Sequence, residues 1–129
     1  MNLNKVTDGL GRGIDDKIKP LVRSILKLGL EPTLSCEGHK SHGRPYPWVD
    51  VHDAQDLSQL IKYISEWNKN SNVKWELRKE YLLFYEPVLG KETFAYRLKP
   101  INYNGTYPTL KILRENAKDL SNYLKTKAS

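Results

Sequence analysis

Apolar residues at Ile14, Ile18, Leu21, Val22, Ile25 and Leu28 recur with helical spacing and predict a first helix over residues 15–28. Asp15 and Asp16 stand at its start, where the helix dipole favours negative charge. Pro20 is close enough to that start to be tolerated, and Gly29 follows the last periodic position as a C-terminal cap. Residues 30–35 then read as a short strand ending at Cys36. Residues 37–47, with Gly38, Gly43, Pro45 and Pro47 among polar neighbours, read as a loop. Trp48-Val49-Asp50-Val51-His52 alternates as a second strand. Asp53 is positioned as an N-cap, with Asp56 three residues on, for a helix that carries Leu57, Leu60, Ile61 and Ile64 on one face.

Residues 68–72 predict a turn. Val73, Trp75 and Leu77 alternate with Lys74, Glu76 and Arg78; Lys79-Glu80 is expected to turn a hairpin, and residues 81–86 to return. Residues 93–99 alternate again through Phe94, Tyr96 and Leu98. A last helix opens at Pro108 or Thr109 and buries Leu110, Leu113, Ala117, Leu120 and Leu124. The expected order is α-β-β-α-β-β-β-α. Short links between neighbouring strands make this a single α+β domain over residues 1–129, a mainly antiparallel sheet covered by helices on one face. Residues 1–13 read as a flexible N-terminal arm, since Gly9, Gly11 and Gly13 lack the Lys-Ser/Thr of a phosphate loop. Residues 125–129 are expected to fray.

Composition changes this picture in three ways. A chain of 129 residues supports one core. A hydrophobic share of 39% excludes a disordered chain, and a single Cys excludes an internal disulfide and points to a reducing, cytoplasmic setting. No apolar run is long enough to cross a bilayer, so no membrane partner is expected. The net charge of +6 permits a phosphate-bearing partner, with RNA the first candidate. Its excess lies in residues 65–129, which hold twelve Lys and Arg against seven acids.

The chemistry-bearing residues concentrate. The one Cys and all three His fall in a short stretch as Cys36, His39, His42 and His52. One reading is a metal site. Cys36-x2-His39-x2-His42 offers ligands of the zinc set, with His52 or Asp50 as a fourth. Another is a Cys36 nucleophile served by His39 or His52, although a charged Glu37 beside it would raise the thiol pKa. The third is structural: a buried strand-end Cys, a Gly38 that supplies a turn, and solvated histidines. Lys40 and Arg44, in the same loop, are candidates to contact an anionic ligand. A separate candidate is the sheet. Lys74, Arg78 and Lys79 are expected opposite Trp75 and Leu77, and Arg97 and Lys99 opposite Phe94, Tyr96 and Leu98. Paired strands would make of them a basic patch, to which Tyr81, Tyr85, Tyr103 and Tyr107 could add stacking surfaces. The alternative is a solvated face neutralised by Glu76, Glu80 and Glu92.

Two stretches carry a resemblance. Arg12-Gly13-Ile14-Asp15 leads into the first helix, and Thr33-Leu34-Ser35-Cys36-Glu37-Gly38-His39 ends the first strand. Together they resemble the opening of the tRNA wybutosine-synthesising methyltransferase family. There a Lys-Gly-x-[Ile/Val]-Asp segment precedes an apolar helix, and a strand ends in Thr-x-Ser-Cys-Ser-Gly-Arg. The pattern also looks like small bacterial and phage proteins with a Ser-Cys-x-Gly-His loop. The resemblance covers about residues 8–39. Glu37 stands where the family has Ser and His39 where it has Arg, and His cannot copy the two-pronged grip of a guanidinium. It implies a related strand-end loop, an RNA partner and, more distantly, S-adenosylmethionine as cofactor.

The expectation that follows is an RNA-associated protein related to tRNA-modifying methyltransferases, with its site in residues 35–44. Cys36, Glu37 and His39 would carry the chemistry; Ser35, Gly38, Lys40 and Arg44 would bind the ligand; Lys74, Arg78, Arg97 and Lys99 would hold phosphates. The alternatives are a non-enzymatic binding protein of phage or viral origin, possible as a homodimer, and a zinc-dependent enzyme using Cys36, His39 and His42.

Overall fold

The computed structural model describes residues 15–39, 45–52, 56–81, 94–102 and 107–128. In chain order these form α1 (Lys19–Lys27), β1 (Pro32–Cys36), β2 (Trp48–His52), α2 (Ser58–Asn70), β3 (Trp75–Tyr81), β4 (Phe94–Pro100) and α3 (Leu110–Lys127). The four strands make one antiparallel sheet in the order β1-β2-β4-β3. The α+β class, the single small domain and the antiparallel sheet are as expected. None of the described helices is long and apolar enough to cross a membrane.

Helix ends follow local chemistry. α1 starts four residues later than expected, at Lys19, with Pro20 in its first turn, where its missing N–H costs no intrahelical hydrogen bond. Its far end is a Schellman motif. Gly29 takes φ +84°, donates to Leu26 O at 2.9 Å, and Leu30 N donates to Ile25 O at 3.3 Å. α2 starts at Ser58 rather than after Asp53, which lies outside the described residues. Asp56 is the working acid there, since its Oδ1 accepts from Ser58 N at 3.0 Å. α3 opens as expected, with Thr109 Oγ1 accepting from Ile112 N. It stays helical through Lys127, beyond the expected fraying point.

β3 corrects the expected hairpin. It runs unbroken through Lys79 and Glu80 to Tyr81, in register with β4 from Trp75↔Pro100 to Tyr81↔Phe94. Neither residue favours the positive φ of a tight hairpin turn, so the chain stays extended. Of the expected returning strand, residues 82–86 lie outside the described residues. The expected turn at 68–72 is shortened too, since α2 continues to Asn70. Asn68 then binds both main-chain groups of Trp75. Its Oδ1 accepts from Trp75 N at 2.9 Å and its Nδ2 donates to Trp75 O at 2.8 Å. We expect Asn68→Ala to cost about 2 kcal/mol in denaturant unfolding, because two partly buried peptide groups lose their partners. A loss below about 0.5 kcal/mol would show that water replaces the amide.

One face of the sheet carries the core. Val49, Val51, Trp75 and Leu98 pack against Leu21, Val22 and Ile25 of α1, Leu60 and Ile64 of α2, and Ala117, Leu120 and Leu124 of α3. Three helices on one face thus bury the central strands. α1 and α3 run in the same direction. Ser24 Oγ donates to Ser121 O at 2.7 Å, and the segment before α1 meets the start of α3 through Glu37 and Arg114. The opposite face is different. Leu34, Ala95 and Trp48 surround Asp50, which is fully buried, and Arg97, which is 8% exposed.

Candidate functional site

The site lies where β1 ends beside the chain entering α1. Alternation along β1 puts Cys36 on the sheet face of Trp48, its register partner, and Ser35 on the other face with Val49. Ser35 is therefore turned away from Cys36. Gly38 follows with φ +87° and packs so closely on Leu110 and Tyr46 that only a hydrogen fits its Cα. The turn swings Gly38 N onto Cys36 Sγ at 3.3 Å and brings His39 back over the strand end. Glu37 N donates to Asp15 Oδ2 at 3.2 Å, and His39 Nε2 stands 3.8 Å from the same carboxylate. One ligand atom each from Asp15, Cys36 and His39 lies within 4.8 Å of the other two.

Arg114 of α3 locks this loop. Its guanidinium donates to Glu37 O at 3.1 Å and to Gly38 O at 2.6 Å, and meets Glu37 Oε2 at 3.1 Å. Glu37 Oε1 also accepts from Lys17 N at 3.3 Å. The Glu37 carboxylate is thus engaged in holding loop, helix and chain entry together. Partial burial pushes the Cys36 thiol up from its ordinary value, Asp15 and Glu37 push further, and only the Gly38 N–H pulls the other way. These surroundings favour the neutral thiol, which is a weak nucleophile.

The other expected residues fall elsewhere. His52 sits at the far end of β2, four positions from the residue opposite Cys36, or roughly 13 Å along the strand. It does not join the cluster. Asp50 does not either, being held by Arg97. Lys40, His42 and Arg44 lie outside the described residues. Among the sheet cations, Lys74 Nζ donates to Asn68 O at 2.8 Å and Ser71 O at 3.2 Å, where it satisfies the C-terminal carbonyls of α2. Arg97 donates twice to Asp50, at 2.7 and 3.0 Å, and stacks 3.9 Å over Trp48. Lys99 lies 3.7 Å from Glu76 and over the Tyr46 ring, which also contacts Tyr107. Arg78 is exposed. Lys79 shares the sheet face of Trp75 and Leu77, contrary to expectation, because residues two apart on a strand face the same way. Three of these cations therefore sit in local ion pairs or caps.

Two groups were not singled out as site residues from sequence. Asp15 reads as a helix-dipole acid, although it ends the Arg12-Gly13-Ile14-Asp15 stretch that carries the resemblance. Arg114 is one of several cations on an amphipathic helix and reaches the site only through packing. A third feature was legible as spacing. Lys111, Lys118 and Lys125 recur every seventh residue of α3 and are exposed. Comparison of the chain with protein-family models, curated proteins and solved structures gives no match.

Proposed function

We propose that the protein is RNA-associated and acts at the β1 end, with RNA lying along the paired helices α1 and α3. The observation that carries this is a cationic line leading to the site. Residues seven apart drift only about 20° around a helix, so Lys111, Lys118 and Lys125 form one stripe. That stripe lies on the side of Arg114 and Ser121, the residues that meet the β1 end and α1. Lys17, two residues before α1, and Lys27, at its end, are exposed. Glu115, also exposed, borders the stripe between Lys111 and Lys118 and offsets part of its charge, whereas Asp119 falls further round α3. Such a row neutralises successive phosphates and needs no base-specific contact. It takes over the role first expected of Lys74, Arg97 and Lys99, whose charges are spent locally.

The resemblance to the wybutosine-synthesising methyltransferases supports the same reading. Its two halves, Asp15 and residues 35–39, meet through the Glu37 N–H and the His39 ring. The resemblance covers residues 8–39 and carries no S-adenosylmethionine-binding motif, so that cofactor is not part of this proposal.

Fluorescence anisotropy with a single-stranded RNA, over a range of salt concentrations, tests the proposal. Binding should weaken linearly on a log–log plot. Replacing Lys111, Lys118 and Lys125 with Ala should make the slope shallower by about 2, from three lost contacts on a single strand. No binding at low salt, or an unchanged slope in the triple variant, sinks the idea.

A further inference from the structure

We propose that Asp15, Cys36 and His39 form a binding site for one divalent cation of the zinc class, with the fourth position taken by solvent or substrate. The ligand set is the first argument. A thiolate, an imidazole and a carboxylate are the three donor types that zinc takes, and a mixed sulfur–nitrogen–oxygen set suits zinc or cobalt better than magnesium or calcium.

Distance is the second argument. A tetrahedral ion with bonds of about 2.0–2.3 Å holds its ligand atoms roughly 3.3–3.8 Å apart. Asp15 Oδ2 and His39 Nε2 already stand at 3.8 Å, and all three ligand atoms lie within 4.8 Å of each other. Adjustments of about 1 Å bring separations of up to 4.8 Å into that range.

The surroundings supply the third. Metal ligands are usually oriented by hydrogen bonds from outside the coordination shell. Here Gly38 N points at Cys36 Sγ and Glu37 N at Asp15 Oδ2, so two of the three ligand atoms are each aimed by a main-chain N–H. Arg114 pins the carbonyls of those same two residues, which fixes the N–H groups in turn. The loop is thus preorganised by a residue 76 to 77 positions away in sequence. Access is open, since the His39 and Asp15 side chains are 31% and 37% exposed. An ion there would polarise a substrate oxygen or activate a water molecule. The proposal goes beyond RNA association and does not depend on it.

Cobalt(II) titration of the full chain, freed of metal by chelation, tests this without RNA. Binding of about one equivalent should give thiolate-to-cobalt charge-transfer absorption together with the d–d bands of a tetrahedral ion, and zinc should displace them. Cys36→Ser should abolish the charge-transfer absorption. Asp15→Asn and His39→Ala should each weaken cobalt binding by more than the roughly 100-fold that loss of an outer-shell partner costs. Asp16→Asn, one residue away and ion-paired with Lys19, should leave it unchanged, as should His42→Ala. Circular dichroism of each variant separates ligand loss from misfolding. Absence of the charge-transfer absorption in a folded wild-type chain overturns the proposal. So does cobalt affinity unchanged by Asp15→Asn or His39→Ala, and loss of the site on His42→Ala overturns the open fourth position.

Discussion

Replacing Asp50 with Ala should destabilise the protein by about 3–5 kcal/mol, read as a fall in the denaturant midpoint at constant slope. Asp50 is fully buried in the middle of β2, and its carboxylate takes two charge-assisted hydrogen bonds from Arg97 directly across on β4. Removing it leaves a guanidinium that is 8% exposed, with Arg78 opposite it on the other side. The energy lost is mainly that of a buried charge without its partner, and the like charge on β3 adds to it. Arg97→Ala should cost a similar amount and also remove the stack on Trp48. The pair itself is worth far less than either single change implies. Desolvating both groups consumes most of their attraction, so Asp50→Leu combined with Arg97→Met should recover most of the loss. The double-mutant cycle should therefore show a coupling of at least about 2 kcal/mol. Additive single effects would mean that Asp50 and Arg97 stabilise the sheet through separate contacts.

That pair shows where sequence reading stops. Alternation along Trp48–His52 and along Phe94–Pro100 was legible, and so was the fact that Asp50 and Arg97 occupy the face opposite Val49 and Leu98. Which strand neighbours which was not. β2 pairs with β4 across an intervening helix and strand, and only that order puts Asp50 opposite Arg97. A cation that reads as a free phosphate contact thereby becomes half of a buried pair. The same reason hid the full Asp15–Cys36–His39 cluster. Cys36, Gly38 and His39 stood out by local crowding, because neighbours in sequence share a loop. Asp15 lies 21 positions before Cys36, and its approach depends on how α1 packs beside β1. Arg114 depends on α3 returning alongside α1. His52 drew attention through sequence proximity alone. Strand length then carries it to the wrong end of β2, where its N–H donates to Glu31 O. The helices were the more legible elements, because Leu21, Val22 and Ile25, or Leu113, Ala117 and Leu120, declare a buried face from spacing alone. Their first turns were less so, since Pro20 and Asp56 act through one backbone group each.

Gly38→Ala should be the most damaging single-methyl change at the site, costing roughly 2–5 kcal/mol. Two separate terms add. The residue sits at φ +87°, a left-handed conformation that strains any side chain. A Cβ there would also come within 2.7 Å of Leu110 Cδ1 and the Tyr46 carbonyl carbon, and 2.9 Å of the Tyr46 oxygen. Leu110 could shift, but the Tyr46 contacts are main chain, which cannot rotate away. The loop must therefore move, and its movement breaks the Gly38 N–H to Cys36 Sγ and the Arg114 hydrogen bond to Gly38 O together. Gly29 provides the control. Its φ of +84° is nearly the same, yet a Cβ there meets nothing within 4 Å. Gly29→Ala should therefore show the conformational term alone, about 1–2 kcal/mol. The difference between the two unfolding midpoints isolates the steric part. It should be accompanied, in Gly38→Ala only, by a thiol that reacts faster with a neutral disulfide reagent, because the loop no longer shields Cys36. Equal losses at the two glycines, with unchanged thiol reactivity, would show that the strand-end loop is not held by the contact with Tyr46.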